Sequence, residues 1–153
     1  MSHLGRTVLG MATWTEFSAE APEIAELAER RLAATGLMMI ATLRRDGFPR
    51  ISPLEPVIAD GRLTLHDGRL WLGMMVDSTK SRDLQRDGRF ALHSATADKM
   101  VTEGDVKMWG VATQVTDHDT LAQFASSVGV ESDAMFVKTW RPGAGVTVVE
   151  KRD

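Results

Sequence analysis

The sequence contains no cysteine. That excludes disulfides, thiolate nucleophiles and cysteine-based metal sites, and it fits a reducing, cytoplasmic setting. No apolar run approaches the ~20 residues that span a bilayer, so no membrane segment is expected. Basic residues are not in excess: 18 Lys and Arg stand against 21 Asp and Glu, for a net charge of −3. With no surplus cations to neutralise a phosphate backbone, no nucleic-acid partner is expected. Several motifs are missing as well. There is no GxGxxG for a dinucleotide, no GxxxxGK[ST] for a phosphate loop and no GxSxG elbow. Ser52, between Ile51 and Pro53, lacks a strand-to-helix turn that would expose it as a nucleophile. The four histidines, His3, His66, His93 and His118, stand at neither HxH nor HxxxH spacing, so the sequence contains no metal signature.

At 153 residues and 43% apolar composition, the chain fits one globular domain. Residues 1–12 read as a disordered leader and 13–153 as the domain. Ile24, Leu27, Ala28, Arg31 and Leu32 follow a helical period. Pro22 suits the first turn and Gly36 a C-terminal cap, which predicts a helix over 22–35 pinned at its start by Trp14 and Phe17. Short apolar runs then alternate with Asp46-Gly47, Asp60-Gly61 and Asp67-Gly68, all turn signals, so residues 37–75 read as an antiparallel meander. Pro49, Pro53 and Pro56 mark the second strand as an edge or a bend. Further strands are expected at 89–94, 105–116, 134–140 and 145–150, with Gly110 suggesting a bulge or a close backbone approach and Asp117 capping a helix to 128. Strands this short and evenly spaced usually close into a barrel.

The most informative stretch is Leu70–Phe90, LWLGMMVDSTKSRDLQRDGRF. It reads as strand, turn, basic helix and strand. Ser78, Thr79 and Lys80 stand where the helix begins. Two hydroxyls and an ammonium beside unpaired backbone N–H groups can seat a phosphate; they can equally be a plain N-cap. Arg50, on the second strand, is a cation that could converge with Lys80. Trp71, Met74, Met75, Met108 and Trp109 suit either a core or the wall of a planar ligand.

Three segments in order, ATLRRDGFPRISPLEP, LWLGMMVDSTKSRDLQRDGRFAL and GDVKMWGVATQV, resemble the flavin-binding split-barrel proteins of the pyridoxamine 5′-phosphate oxidase-like family. The most specific element is Ser-x-Lys-x-x-Asp-Leu followed by Asp-Gly-Arg. The resemblance implies an α+β, mainly β fold: a six-stranded antiparallel split β-barrel with flanking helices. It also implies a homodimer with flavin mononucleotide (FMN) in clefts at the subunit interface. Arg50 and Lys80 would hold the phosphate, aided by Ser78 and Thr79. Ile51, Ser52 and Pro53 would run along the ring, Gly73 and Met74 would line the cofactor, and Asp105 and Trp109 would reach it from the other subunit. The implied activity is hydride transfer to or from a small molecule. A deazaflavin-dependent reductase using the same cleft and a non-catalytic flavin- or haem-binding protein are the alternatives, with His66 and His93 as the histidines for haem. The chain departs from the pattern at Thr79, where many members carry Arg or Lys. It departs again at Glu55, where the vitamin-B6 oxidases carry Lys, and at Asp105, where Gln is common. Residues 139–145, TWRPGAG, lack the Arg-Leu-His signature that grips pyridoxal phosphate, so vitamin-B6 oxidation is not expected.

Overall fold

A computed structural model describes residues 13–55, 58–59, 62–63, 65–66, 69–74, 77–96, 98–127 and 146–152. The expected leader 1–12, the strand at 134–140 and the TWRPGAG segment lie outside them. The fold is α+β: an antiparallel sheet with helices packed on one face.

The first helix, α1 (Trp14–Glu20), was not anticipated as a separate element. Its signal is the Thr13–Glu16 capping box: Glu16 N donates to Thr13 Oγ1 at 3.2 Å, and Thr13 N donates to Glu16 Oε2 at 2.8 Å. These reciprocal bonds satisfy donors that a helix start leaves open. Trp14 and Phe17 stack within α1 with ring centroids 5.4 Å apart and are buried. Helix α2 (Pro22–Thr35) has the expected limits, with Pro22 in its first turn and Gly36 in the left-handed region at φ 64°. Its buried stripe is Ala25, Ala28, Arg31 and Leu32. Ile24, expected on the core side, is 56% exposed, because the stripe is rotated one residue toward Ala25.

Strands β1 (Met38–Leu43) and β2 (Pro49–Leu54) form a hairpin around the Asp46-Gly47 turn. A short ribbon follows, β3 (Ile58–Ala59) with β4 (Arg62–Leu63), and then β5 (Leu65–His66) with β6 (Arg69–Gly73). Helix α3 (Thr79–Arg86) leads into β7 (Arg89–Ser94). Then come β8 (Lys107–Val115), α4 (His118–Ser127) and β9 (Val146–Arg152).

The main sheet has seven strands in the order β2-β1-β7-β8-β9-β6-β5. This differs from a closed six-stranded barrel: among the described residues no pairing joins the end strands β2 and β5. The edge position that the prolines suggest for β2 is observed: among the described residues it pairs only with β1. Gly110 makes no bulge; it pairs in unbroken register with Phe90 on one side and Lys151 on the other. The close backbone approach falls at Gly88 instead. A Cβ there would clash with the Ala112 carbonyl oxygen, and Ala112 N donates to Gly88 O at 2.7 Å.

One face of the sheet carries Met38, Ile40, Phe90, Leu92, Met108 and Ala112 into the core with α1, α2 and Leu84 of α3. The other face carries Met39, Ile51, Trp109 and Val111, all exposed. The alternation of side chains along each strand produces this division.

Candidate functional site

The site is built from the edge strand β2 and the start of α3. Asp77, at φ 59°, turns the chain into α3, and its carbonyl accepts from Arg82 Nη2 at 2.7 Å. Ser78 is the N-cap, accepting from Ser81 N at 3.3 Å. Its hydroxyl is therefore committed to the helix, as in the plain capping reading. Thr79 opens the first turn with its side chain exposed.

Lys80 reaches back to β2, where its Nζ donates to Pro53 O at 2.8 Å. Burial pushes the Lys80 ammonium down, and Glu55 only partly offsets this. A partly desolvated cation with incomplete compensation favours an added anion.

Arg50 does not share an acceptor with Lys80. Its Nε donates to Asp83 Oδ2 at 2.7 Å. Asp83, only 3% exposed, also accepts from Thr42 Oγ1 at 2.9 Å and, through Oδ1, from Arg86 Nη2 at 2.9 Å. Burial by itself would raise the Asp83 carboxyl; the bonds from Arg50, Arg86 and Thr42 outweigh it and hold the group below the usual range. Asp83 thus ties β1, β2 and α3 together. In the sequence it stands only as the acid of the Ser-x-Lys-x-x-Asp-Leu element, because its partners Arg50 and Thr42 lie 33 and 41 residues away.

The register fixes what the free edge of β2 offers. Arg44 N donates to Phe48 O at 2.9 Å next to the turn. Hydrogen-bonded pairs in an antiparallel hairpin alternate, so Thr42–Arg50 is also such a pair, and Leu43–Pro49, Ala41–Ile51 and Met39–Pro53 are not. The backbone groups of Pro49, Ile51 and Pro53 therefore point outward. Both prolines lack an N–H, which leaves Ile51 N–H as the outward donor of this edge, beside the Pro53 carbonyl held by Lys80.

A family model for pyridoxamine 5′-phosphate oxidase matches residues 24–152. The chain belongs to that family. No curated protein sequence matches it. Among solved structures, the HutZ haem storage protein of Vibrio cholerae is similar at 13% identity, with 87% of this chain and 90% of HutZ covered and a TM-score of 0.61. The conserved hypothetical protein Rv2991 of Mycobacterium tuberculosis is similar at 23% identity, covering 86% and 81%, with a TM-score of 0.61. A proposed pyridoxamine 5′-phosphate oxidase of Lactobacillus delbrueckii is similar at 19% identity, covering 81% and 87%, with a TM-score of 0.56. At these identities the likeness concerns the fold.

Against the family pattern, Arg50, Ile51, Ser52, Pro53, Thr79 and Lys80 come together around the β2 edge. Ser52 lies on the Arg50 face of β2 and is half-buried. Gly73 ends β6, paired with Val146, and Met74 packs its side chain into the core, so only its main chain is available to a ligand. Trp109 is 47% exposed and Ile51 70%. They lie on one row of the sheet, Ile51–Ala41–Ala91–Trp109, three strand spacings or roughly 14 Å apart. Asp105 Oδ2 accepts from Thr96 Oγ1 at 3.2 Å. Its Oδ1 is buried without a partner among the described residues. The described residues contain no cluster of three or more metal-ligating side chains, and no helix among them is long and apolar enough to cross a membrane.

Proposed function

We propose that the protein binds FMN along the free edge of β2 and acts as a flavin-dependent oxidoreductase on a small molecule. The observation that carries this reading is the edge itself. An outward N–H at Ile51 sits between two prolines, with the half-buried Lys80 ammonium beside Pro53 and the Arg50 guanidinium on the sheet face opposite the Ile51 side chain. The residues present fit the group: cations for a phosphate, an open strand edge for a polar ring edge, and exposed Ile51 for an apolar ring face. Bound FMN supplies hydride transfer. The chain's part is to hold the phosphate with Lys80, Arg50 and Thr79 and to orient the ring against Ile51 and Pro53. The Asp83 bonds keep Arg50 aimed.

The exposed side chains of Met39, Ile51, Trp109 and Val111 on one sheet face support a homodimer, since exposed apolar surface on a monomer often marks an interaction site. Trp109 stands too far from Ile51 to meet a ligand at β2 of its own chain. A second copy would bring its own Trp109 to that ligand and close the cleft from above. A six-stranded split barrel is the form we expect the sheet to take in that dimer.

Titrating the purified protein with FMN and with a deazaflavin, side by side, tests this reading. Saturable FMN binding, tighter than deazaflavin, supports it; tighter deazaflavin binding moves the protein to the alternative reductase class, and binding of neither removes the reading. One observation favours haem as a second reading. His93 Nδ1 lies 2.6 Å from Ser94 O. A carbonyl can only accept, so Nδ1 carries the proton and Nε2 keeps a lone pair, as a metal-ligating histidine requires. A Soret band that appears on haem titration and is lost in His93→Ala tests it.

A further inference from the structure

A cleft of about 760 Å³ lies between the β1–β2 turn and α3 and shares Arg50 and Thr79 with the proposed cofactor edge. Five arginines line it, Arg44, Arg45, Arg50, Arg82 and Arg86, against two carboxylates, Asp46 and Asp83. The sequence does not foreshadow this, because the net charge of the chain is negative. The fold gathers the cations by folding the Arg44-Arg45 turn back onto the α3 face that carries Arg82 and Arg86.

Both carboxylates are already engaged. Asp46 Oδ2 accepts from Arg44 Nη2 at 2.8 Å, and Asp83 accepts from Arg50 and Arg86. Arg82 and Arg86 each also hold a carbonyl, those of Asp77 and Leu43. Arg45 makes no hydrogen bond or ion pair among the described residues. Most of the guanidinium N–H groups therefore remain uncommitted. Arg82 and Arg86 sit four apart on one helix, a like-charge spacing that destabilises a helix unless something offsets it. A single monophosphate does not use five forked cations, each suited to bidentate contact with an oxyanion.

The other lining residues are Thr79 and Gln85. No apolar or aromatic side chain lines the cleft among the described residues. We propose that this cleft binds a compact polyanion, a run of linked phosphoryl or carboxylate groups. Asp83 acts as the positioning residue, aiming Arg50 and Arg86 into the cleft. The proposal rests on the cleft alone and does not need the flavin reading.

Calorimetric titration of the full chain with inorganic tripolyphosphate, orthophosphate and citrate, at one ionic strength near 0.15 M, tests it. Tripolyphosphate or citrate is expected to bind at least about tenfold more tightly than orthophosphate. Whichever of the two binds better assigns the anionic groups as phosphoryl or carboxylate. The Arg45→Gln/Arg82→Gln variant is expected to lose about tenfold or more of that affinity, with FMN affinity and melting temperature unchanged. Equal, weak binding of all three anions overturns the proposal, as does an unaltered affinity in the variant. Should the double variant fold poorly, Arg45→Gln alone gives the same reading, since Arg45 holds no structural contact among the described residues. A chain that binds tripolyphosphate but not FMN upholds this proposal and removes the flavin one; the reverse result overturns this one only.

Discussion

Arg50 on β2 and Asp83 on α3 are joined by a 2.7 Å bond from Nε to Oδ2, with the carboxylate almost fully buried and the guanidinium side chain 30% exposed. The bond links the proposed cofactor edge to the arginine-lined cleft. It also decides which way Arg50 faces, since its neighbour Ile51 points to the opposite side of the sheet.

Asp83→Asn keeps the shape and removes the charge. It leaves Arg50 and Arg86 without their common carboxylate, and both are about one-third exposed, so water compensates in part. The expected loss is about 2 kcal/mol, read as a lower midpoint in urea unfolding with an unchanged slope. A loss under ~0.5 kcal/mol would mean that the three bonds to Asp83 contribute little net stability.

The same group sets an acid limb. The Asp83 carboxyl is held below its ordinary value in the folded chain. Its contribution is therefore complete above the unfolded value of about 4 and is lost as pH falls through the lower folded value. Stability measured by urea unfolding between pH 6 and about 3 should fall less steeply in Asp83→Asn than in the parent. Parallel curves would assign the acid limb to other carboxylates.

Gly88→Ala should cost about 2–3 kcal/mol. The added methyl meets the Ala112 backbone oxygen first and the Val111 side chain next, and the backbone cannot swing aside, so the Gly88–Ala112 hydrogen bond must open. A melting temperature equal to the parent's would show that β7 and β8 can separate there at no cost.

Trp109→Glu places a charge on the exposed face without touching the core. If that face joins two copies, the variant elutes as a monomer in a sizing run where the parent elutes as a dimer, with an unchanged circular dichroism spectrum. A parent that is itself monomeric, or a dimeric variant, removes this face as the interface.

Much of the fold was legible because its signals are local. The Asp46-Gly47 turn, Pro22, Gly36 and the Ser78 cap each act within a few residues, and the corresponding elements lie where they were expected. The Thr13–Glu16 box was equally local and was overlooked because Trp14 and Phe17 drew attention as packing residues. What the sequence could not show is long-range. Asp83 gains its role from Thr42 and Arg50 across the β1–β2–α3 corner, and Arg44 and Arg45 join Arg82 and Arg86 only once the hairpin has folded back. Arg86, on the basic helix α3, donates to the Leu43 carbonyl at 2.6 Å, 43 residues away. Met74 and Trp109, alike as candidate wall residues, separate only when the sheet assigns one to the core and the other to the open face.

Lys80→Ala should weaken FMN binding by about 1.5–3 kcal/mol, the usual loss of a charge-assisted contact, and leave tripolyphosphate binding in the arginine cleft intact. An unchanged FMN affinity would place the phosphate away from α3.

The most direct test of the central claim is the visible spectrum of the protein after saturation with FMN and removal of free ligand by gel filtration. The account predicts that flavin absorbance co-elutes with the protein peak. A colourless protein peak, with all the flavin in the small-molecule fraction, would contradict it.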